Sequence, residues 1–279
     1  MSHTLFVVGT PIGNLGDLSP RARECLSTVD LVIAEDTRVF ARLCHLVGLV
    51  PRAVRGYQGR QRIAEVEFLS ALEGGDVALV SDAGMPGVSD PGSEFVALAL
   101  AHGNTIRAIP GASALTTALA LWPMAVDAAC FYGFLPRRGS ERARMVTNVM
   151  SASSVGVILE SPRRLYETCA ELAALDPSRH VLLLGELTKL HESMRWMTLA
   201  EALEVLRGVD HKGEWVIVVE QAQEARPSGA ESDRLLRALA TSSLGTKEAA
   251  AIYAQVQEVA HRDAYQLMLS SRSEGTLSS

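Results

Sequence analysis

Residues 77–92 read VALVSDAGMPGVSDPG, an apolar β-type run that changes abruptly into a loop of glycines, prolines and aspartates. The glycines allow backbone angles and close approach that a side chain would forbid, while the prolines fix the chain between them. Such a loop is suited to following the shape of a ligand. A tight connection between a strand and a helix is the alternative, because turns are where these residue types usually fall.

A second loop of the same type follows Leu5–Val8 near the amino terminus, where residues 9–15 read GTPIGNL. In an open α/β sheet, ligands bind beyond the carboxyl ends of the strands. We therefore expect the two glycine-proline loops to border one pocket.

The chain alternates short β-rich runs with amphipathic helices, which predicts doubly wound α/β layers. Ser19 and Pro20 are typical of a helix start, and a second helix is predicted over 37–47. A helix after Ser113 is nearly all small and apolar, so we expect it to be buried at the centre of the first domain and to end at Pro123. The predicted strands are Leu5–Val8, Leu31–Ala34, Val77–Ser81, Thr105–Ile109, Gly156–Glu160, Val181–Gly185 and Trp215–Val219.

Changes in composition predict three parts of the chain. Residues 1–134 form an N-terminal α/β domain, and residues 135–222 form a second α/β domain. Residues 223–279 hold a linker without periodicity and then three short helices. The turn at Leu244-Gly245-Thr246 is similar to the hinge of a helix-turn-helix, and a dimerising or merely stabilising bundle is the alternative.

The composition of the 279 residues is that of a soluble globular protein, with 48% hydrophobic and 21% charged residues. No apolar run approaches the roughly 18 residues that a membrane span needs. The start of the chain lacks the pattern of a secretory signal, and the four cysteines are scattered without a C-x-x-C pair, so we expect reduced thiols and a cytoplasmic protein. The seven histidines show no H-E-x-x-H, and we expect no metal site.

The net charge of −6 argues against a protein that binds nucleic acid with its whole surface. Local arginine patches are still able to bind phosphates, although most such arginines are simply solvated. The candidates are Arg52, Arg55, Arg60 and Arg62, then Arg137, Arg138, Arg142 and Arg144, and finally Arg163 and Arg164.

The glycine loops match neither G-x-G-x-x-G nor G-x-x-x-x-G-K-[ST], and no G-x-S-x-G elbow is present. Without these motifs, a favoured chemistry is one in which a cofactor supplies the reactivity and the protein supplies position. Methyl transfer from S-adenosylmethionine fits, since the enzyme has only to align a nucleophile with the methyl group and handle one proton.

Nine short motifs, in order along the chain, resemble the tetrapyrrole-methylase superfamily, and within it the branch of small-subunit ribosomal RNA methyltransferases I. They are VGTPIGNL (8–15), AEDTR (34–38), SDAG (81–84), DPG (90–92), PGASA (110–114), GFLP (133–136), ESP (160–162), ELTK (186–189) and KGE (212–214). The resemblance implies two α/β domains, a cleft for S-adenosylmethionine, a homodimer, and transfer to a cytidine ribose 2′-hydroxyl of small-subunit ribosomal RNA.

The resemblance also implies roles for individual residues. Asp36 and Arg38 would position the accepting hydroxyl and its neighbouring phosphate, while Glu186 and Lys189 are candidates for handling the proton. The residues expected to line the cofactor site are Pro11, Ile12, Ser81, Asp82, Ala83, Gly84, Met85, Ser113, Ala114 and Leu159.

The chain departs from the branch at several positions. A His-rich segment of the branch is replaced by RGYQGRQ at residues 55–61, and Met85 stands where the branch usually has threonine. Three functions therefore stay open: methylation of ribosomal RNA, methylation of a small molecule, tetrapyrrole or peptide, and a catalytically silent binding homologue. The helical tail favours the first, because a small-molecule enzyme has no need of it.

Overall fold

A computed structural model describes residues 3–58, 62–209, 211–222, 229–257 and 259–275. The chain forms two compact units, Met1–Gln221 and Ala222–Ser279. The first unit contains two five-stranded sheets with helices, and the second is helical. The predicted α/β class with a C-terminal helical unit is confirmed.

All strands of the first sheet are parallel, in the order β3-β2-β4-β1-β5. Its central strand is fully buried because helices cover both faces. Ala78 and Val80 face one core cluster, and Val77 and Leu79 face the other. The strands are β1 Thr4–Val8, β2 Leu31–Ala34, β3 Val54–Gly56, β4 Val77–Val80 and β5 Thr105–Ile109.

The helices that follow these strands begin where local signals place them. The Ser19 hydroxyl accepts a hydrogen bond from the Ala22 amide at 3.1 Å, which confirms the predicted N-cap. Gly48, with φ 66°, ends the second helix in the left-handed conformation. The helices are α1 Pro20–Thr28, α2 Thr37–Val47, α3 Glu65–Gly74, α4 Ser93–Ala101 and α5 Ala114–Ala120.

The second sheet is mixed, in the order β6-β7-β10-β8-β9, with only β6 and β7 parallel. Three helices, α6 Ser140–Ser151, α7 Leu165–Ala173 and α8 Leu199–Leu206, lie along this part of the chain. Strand β6 precedes residue 135, so the second sheet draws on both sides of the domain boundary predicted there. The strands are β6 Ala129–Phe134, β7 Val155–Glu160, β8 His180–Gly185, β9 Ser193–Thr198 and β10 Trp215–Val219.

Helix α5 does not lie at the centre of the first domain, so that prediction is wrong. Only Ala118 of its residues is buried, and it packs with Trp122 against β-strand residues of the second sheet such as Val157 and Val218. Its small apolar side chains cover the face of that sheet opposite α6, α7 and α8.

The second unit contains α9 Gly229–Ala240, α10 Thr246–Gln257 and α11 His261–Gly275, as the sequence predicts. Its core includes Leu239, Tyr253 and Met268. Ile252 and Val256 of α10 are exposed, because Ala249, Ala250 and Tyr253 form the buried face of this helix. Among the described residues, no helix is both long and apolar enough to cross a membrane.

Candidate functional site

The two glycine-proline loops are joined to each other by backbone hydrogen bonds. The Thr10 amide donates to the Gly84 carbonyl at 2.9 Å, and the Gly84 amide donates to the Thr10 carbonyl at 3.1 Å. The buried Thr10 hydroxyl donates to the Ser81 carbonyl at 3.2 Å. Ile12 and Gly84 line one cavity, so the prediction that both loops border a single pocket is confirmed.

The cavity has a volume of about 300 Å³ and is lined by residues of both sheets. The part from the first sheet comes from the loops after β1, β4 and β5. The part from the second sheet comes from β6, β7, β10 and the turn after β8. The lining residues are Ile12, Ala83, Gly84, Met85, Val88, Ser89, Asp90, Ser113, Ala114, Leu115, Phe131, Phe134, Leu159, Glu160, Ser161, Pro162, Leu187, Gly213, Glu214, Trp215 and Val216.

Most of the residues predicted for a cofactor site lie in this wall. Pro11, Ser81 and Asp82 are outside it, although each is adjacent in sequence to a residue of the site or of its supporting loop. The seven predicted residues that line the cavity are Ile12, Ala83, Gly84, Met85, Ser113, Ala114 and Leu159.

Close backbone approach explains Gly9, and a left-handed backbone conformation explains Gly84. A Cβ at Gly9 would lie 2.7 Å from the Gly111 Cα, so the loops after β1 and β5 touch through their main chains. Gly84, at the cavity wall, has φ 79°, a left-handed conformation that glycine adopts without strain. The sequence predicted that these glycines shape the loops, since Gly9 and Gly84 lie in loops that follow apolar strand runs.

Carboxyl groups are concentrated beside the cavity. The Asp82 amide donates to the Glu35 carboxylate at 3.2 Å, and the Asp36 amide donates to Asp82 Oδ1 at 3.1 Å. Burial raises the pKa of Glu35, Asp82 and Asp90 above the usual values, and neighbouring carboxylates add to the rise. Backbone hydrogen bonds to Glu35 and Asp82 oppose the rise, as does the hydrogen bond from Ser81 to Asp90. Asp90, which lines the cavity, forms no ion pair within the described residues.

The described part of the departing segment 55–61 supports this cluster. The buried Tyr57 hydroxyl donates to the Pro91 carbonyl at 3.2 Å, next to Asp90. Gln58 Nε2 donates to Glu35 Oε1 at 3.1 Å. Arg60 lies outside the described residues.

Asp36 and Arg38 lie at the start of α2 and are hydrogen-bonded to each other. Asp36 Oδ1 accepts from the Arg38 amide at 2.8 Å and from Arg38 Nε at 3.0 Å. These hydrogen bonds lower the pKa of Asp36 to about 2, so its carboxylate is ionised at neutral pH. Neither residue lines the cavity, and their role toward an acceptor stays a prediction.

Glu186 and Lys189 stabilise a turn that brings Leu187 to the cavity. Lys189 Nζ lies 2.8 Å from both Glu186 Oε1 and Glu214 Oε2. The Lys189 ammonium lowers the pKa of Glu186, while burial lowers the pKa of Lys189 less than its two carboxylate partners raise it. Both groups are therefore charged at neutral pH, which favours a positioning role. Proton transfer by either group stays a prediction.

This turn also contacts the first glycine-proline loop. The Asn14 amide donates to the Thr188 hydroxyl at 3.1 Å. A Cβ at Gly13 would lie 2.5 Å from Lys189 Cγ and 2.7 Å from Thr188 Oγ1. Glu186 and Thr188 have φ values of 53° and 67°, left-handed conformations that cost energy in residues other than glycine.

Sequence reasoning missed several cavity residues. Asp90 stands in the loop of residues 77–92, and its position between Ser89 and Pro91 was a detectable signal. Phe131 and Phe134 come from a strand that was not predicted, and Glu214 follows a glycine in the KGE motif.

The arginine patches divide into paired and unpaired residues. Arg142 is 3% exposed and its guanidinium is hydrogen-bonded to Glu171, Thr168 and the Pro136 carbonyl. The prediction that Arg142 contacts RNA is therefore wrong, because its charge is used inside the fold. Arg52, Arg55 and Arg62 pair with Asp30, Glu67 and Glu94, respectively.

Within the described residues, no group of three or more His, Cys, Asp or Glu side chains could hold a metal ion.

Comparisons with known proteins agree with this geometry. The family model of Tetrapyrrole (Corrin/Porphyrin) Methylases matches residues 4–203. A relative from Synechocystis sp., named ribosomal RNA small subunit methyltransferase I, is 36% identical over 97% of this chain and 99% of its own. A protein of the same name from Pseudomonas aeruginosa is 38% identical over 95% of this chain and 96% of its own.

A solved structure of diphthine synthase has the same fold, with a TM-score of 0.60 and 18% identity over 79% of this chain and 90% of its own. The family match covers the strands and loops that build the cavity on the first sheet, and most of the second. The chain is therefore a methyltransferase and belongs to the tetrapyrrole methylase family.

Proposed function

We propose that this protein uses S-adenosylmethionine to methylate the ribose 2′-hydroxyl of a cytidine in small-subunit ribosomal RNA. The observation that carries the proposal is that the sequence similarity to ribosomal RNA methyltransferases extends over nearly the whole chain. Relatives named ribosomal RNA small subunit methyltransferase I match 95–97% of this chain, so the similarity extends over most of the C-terminal helical unit.

The residues at the cavity fit S-adenosylmethionine. Its sulfonium and ammonium groups are cationic, and the cavity wall contains Asp90, a partly buried carboxyl whose charge has no cationic partner in the described part of the chain. Room for a flat purine and a ribose comes from Gly84, which has no side chain, and from the small side chains of Ala83, Ser113 and Ala114. These residues would hold the cofactor, together with Ile12, Met85 and Leu159.

S-adenosylmethionine would supply an activated methyl group on sulfur. The protein would supply position: the loops after β1 and β4, hydrogen-bonded to each other, give the wall of the cavity a fixed shape. The ionised Asp36 and the 89%-exposed Arg38 are proposed to orient the acceptor ribose and its phosphate. Glu186 and Lys189 are proposed to fix the turn at Leu187, and either one would have to change its charge state to move a proton.

Two further properties follow from the proposal. An enzyme that acts on ribosomal subunits works where those subunits are, so we expect it in the cytoplasm. The family resemblance also implies a homodimer, which light scattering would contradict if it returned the monomer mass of 29.9 kDa.

The experiment combines cofactor binding with acceptor choice. Calorimetry should show one S-adenosylmethionine site per chain, without added metal. With a methyl-labelled cofactor, purified small subunits should gain label while free nucleosides, tetrapyrroles and peptides do not. Label on a small acceptor and none on the subunits would favour the second function, and cofactor binding without transfer to any acceptor would favour a silent homologue.

A further inference from the structure

A second cavity, of about 730 Å³, lies beside the first and shares three wall residues with it, Phe134, Ser161 and Pro162. Its other wall residues are Leu135, Pro136, Arg137, Arg163 and Arg164. The Phe134 ring, 58% exposed, therefore borders both the candidate cofactor cavity and this second one. We call the second cavity the arginine groove.

A β-bulge places Phe134 there. In β6, Phe131 pairs with Val157 and Gly133 pairs with Ile158, so Tyr132 is the extra residue. Residues three apart in a regular strand point to opposite faces, but Phe131 and Phe134 both line the first cavity. Gly133 completes the bend with φ 59°, and a Cβ there would meet Ser89 Oγ at 2.5 Å.

The buried Arg142 and the partly buried Arg164 fix the segment that follows Phe134. Arg164 Nη2 donates to the Leu135 carbonyl at 2.8 Å, and Arg142 Nη1 donates to the Pro136 carbonyl at 3.0 Å. Glu160, 1% exposed, holds Arg164 at 3.2 Å and accepts from Thr168 at 2.7 Å. Phe134 and Arg137 are thus presented by a backbone that is already ordered.

Two of the three arginines that line the groove have no acidic partner among the described residues. Arg137 and Arg163 are exposed, and neither forms an ion pair with any described residue. Arg164, in contrast, is paired with Glu160. Two free guanidiniums beside an exposed aromatic ring match a single-stranded nucleic acid, whose phosphates bind arginine and whose bases stack on aromatic rings.

We propose that the arginine groove binds the RNA chain at the acceptor nucleotide: Phe134 stacks on a base, and Arg137 and Arg163 bind the phosphates beside it. This inference rests on the proposed function and names the surface that delivers its substrate. A base stacked on Phe134 would bring the attached ribose to the shared wall of the two cavities.

The test compares F134L, the double variant R137A/R163A and the control R21A. Arg21 is an exposed residue of α1 that lines neither cavity and forms no ion pair with the part of the chain that the structure describes. Leucine keeps an apolar wall but cannot stack. Binding of small subunits is measured as a function of salt, alongside the KM for subunits and the dissociation constant of S-adenosylmethionine.

We expect F134L to raise the KM for small subunits about tenfold, and F134Y to restore it. In R137A/R163A, the slope of log affinity against log salt concentration should decrease in magnitude by about 1.4, the value for two phosphate contacts with single-stranded RNA. The cofactor dissociation constant should stay within about threefold of the parent value in R137A/R163A, whose residues line only the groove, and R21A should behave as the parent does. F134L, at the shared wall, should weaken subunit binding more than cofactor binding.

A parent-like salt slope and KM in R137A/R163A, with normal methylation by the parent, would overturn the groove and leave the proposed function intact. A parent that binds subunits through the groove but transfers no methyl group would overturn the proposed function alone. A loss of cofactor affinity in F134L as large as its loss of subunit affinity would assign Phe134 to the cofactor site and contradict its stacking role.

Discussion

Glu35 follows β2, and Asp82 and Asp90 lie in the loop after β4. Asp90, the only one of these three carboxyl groups that lines the cavity, has no cationic partner among the described residues. Burial raises the pKa of Asp90, and the Asp82 charge adds to the rise, although the hydrogen bond from Ser81 opposes it. A carboxyl whose folded pKa is raised stabilises the fold as pH falls, and this stability is lost as pH rises through the folded pKa. The ionised form of Asp90 therefore destabilises the fold, and a bound cationic group would offset that cost.

Asp90→Asn should separate binding from stability. We expect cofactor affinity at pH 7 to fall about tenfold or more, since a charge-assisted contact is lost, while the melting temperature rises. In the parent, affinity should increase with pH through a pKa above the ordinary value for aspartate, and in Asp90→Asn this dependence should weaken. Calorimetry and thermal melts across pH 4 to 8 measure both effects.

Asp82→Ala is the matched comparison, because Asp82 belongs to the same cluster but does not line the cavity. The family resemblance predicts a loss of cofactor affinity there too. If Asp82→Ala weakens the cofactor and Asp90→Asn does not, the assignment of Asp90 fails.

Gly13 is required by the turn that it touches. In Gly13→Ala, the new Cβ would meet Lys189 Cγ at 2.5 Å and the Leu187 carbonyl oxygen at 3.0 Å, so the turn would have to shift. Overpacking of this type costs about 1–3 kcal/mol. Gly74→Ala is the control, because Gly74 lies in α3 and a Cβ there would meet open space. We expect this variant to raise the free energy of unfolding by about 0.5–1 kcal/mol. Urea unfolding should show opposite signs for the two variants, and equal effects would contradict the contact.

At the level of elements, a buried network joins α6, α7 and the turn after β6. Arg142 is bound to Glu171, Thr168 and the Pro136 carbonyl. Arg142→Met should lower the free energy of unfolding by about 3 kcal/mol, because partners of the buried charge are left unpaired. Arg144→Met, an exposed position on the same helix, should change it little. Urea titration that gives equal values for the two variants would show that the network contributes no stability.

The elements that were predictable from sequence are those with a continuous apolar run. Strands β2 and β10 have the predicted bounds, because Val, Ile and Leu residues between turns specify buried strands. The edge strand β5 also has the predicted bounds, although Arg107 interrupts its apolar run and three of its five residues are exposed. Strands β3, β6 and β9 were not predicted, because Arg55, Gly133 and Arg195 interrupt their apolar patterns. An edge strand tolerates charges on its exposed side, and a bulge breaks the two-residue period, so neither leaves a periodic signal.

The cavity wall followed the same rule. Its loop residues, such as Ile12 and Gly84, follow predictable strands and line the cavity. Phe131 and Phe134 come from β6 and were missed with it. Which of the arginines are free was equally beyond the sequence, since only the fold shows that Arg142 is buried while Arg137 is exposed.

For the whole molecule, we expect the first compact unit to bind the cofactor and the C-terminal unit to contribute to acceptor binding. The cavity is lined entirely by residues of Met1–Gln221, and the C-terminal unit has its own core. A chain that ends at Gln221 should therefore bind S-adenosylmethionine with parent affinity but methylate small subunits more slowly. Methylation at the parent rate would contradict a role for the tail in acceptor binding.

The identity of the methylated atom tests the central claim most directly. Small subunits from cells that lack the gene should be incubated with the protein and S-adenosylmethionine, and the ribosomal RNA digested to nucleosides for mass spectrometry. We predict that 2′-O-methylcytidine appears, that it requires the protein, and that Asp90→Asn reduces its rate of formation. A methyl group on a base or a ribosomal protein, or subunits that stay unmodified, would contradict the account.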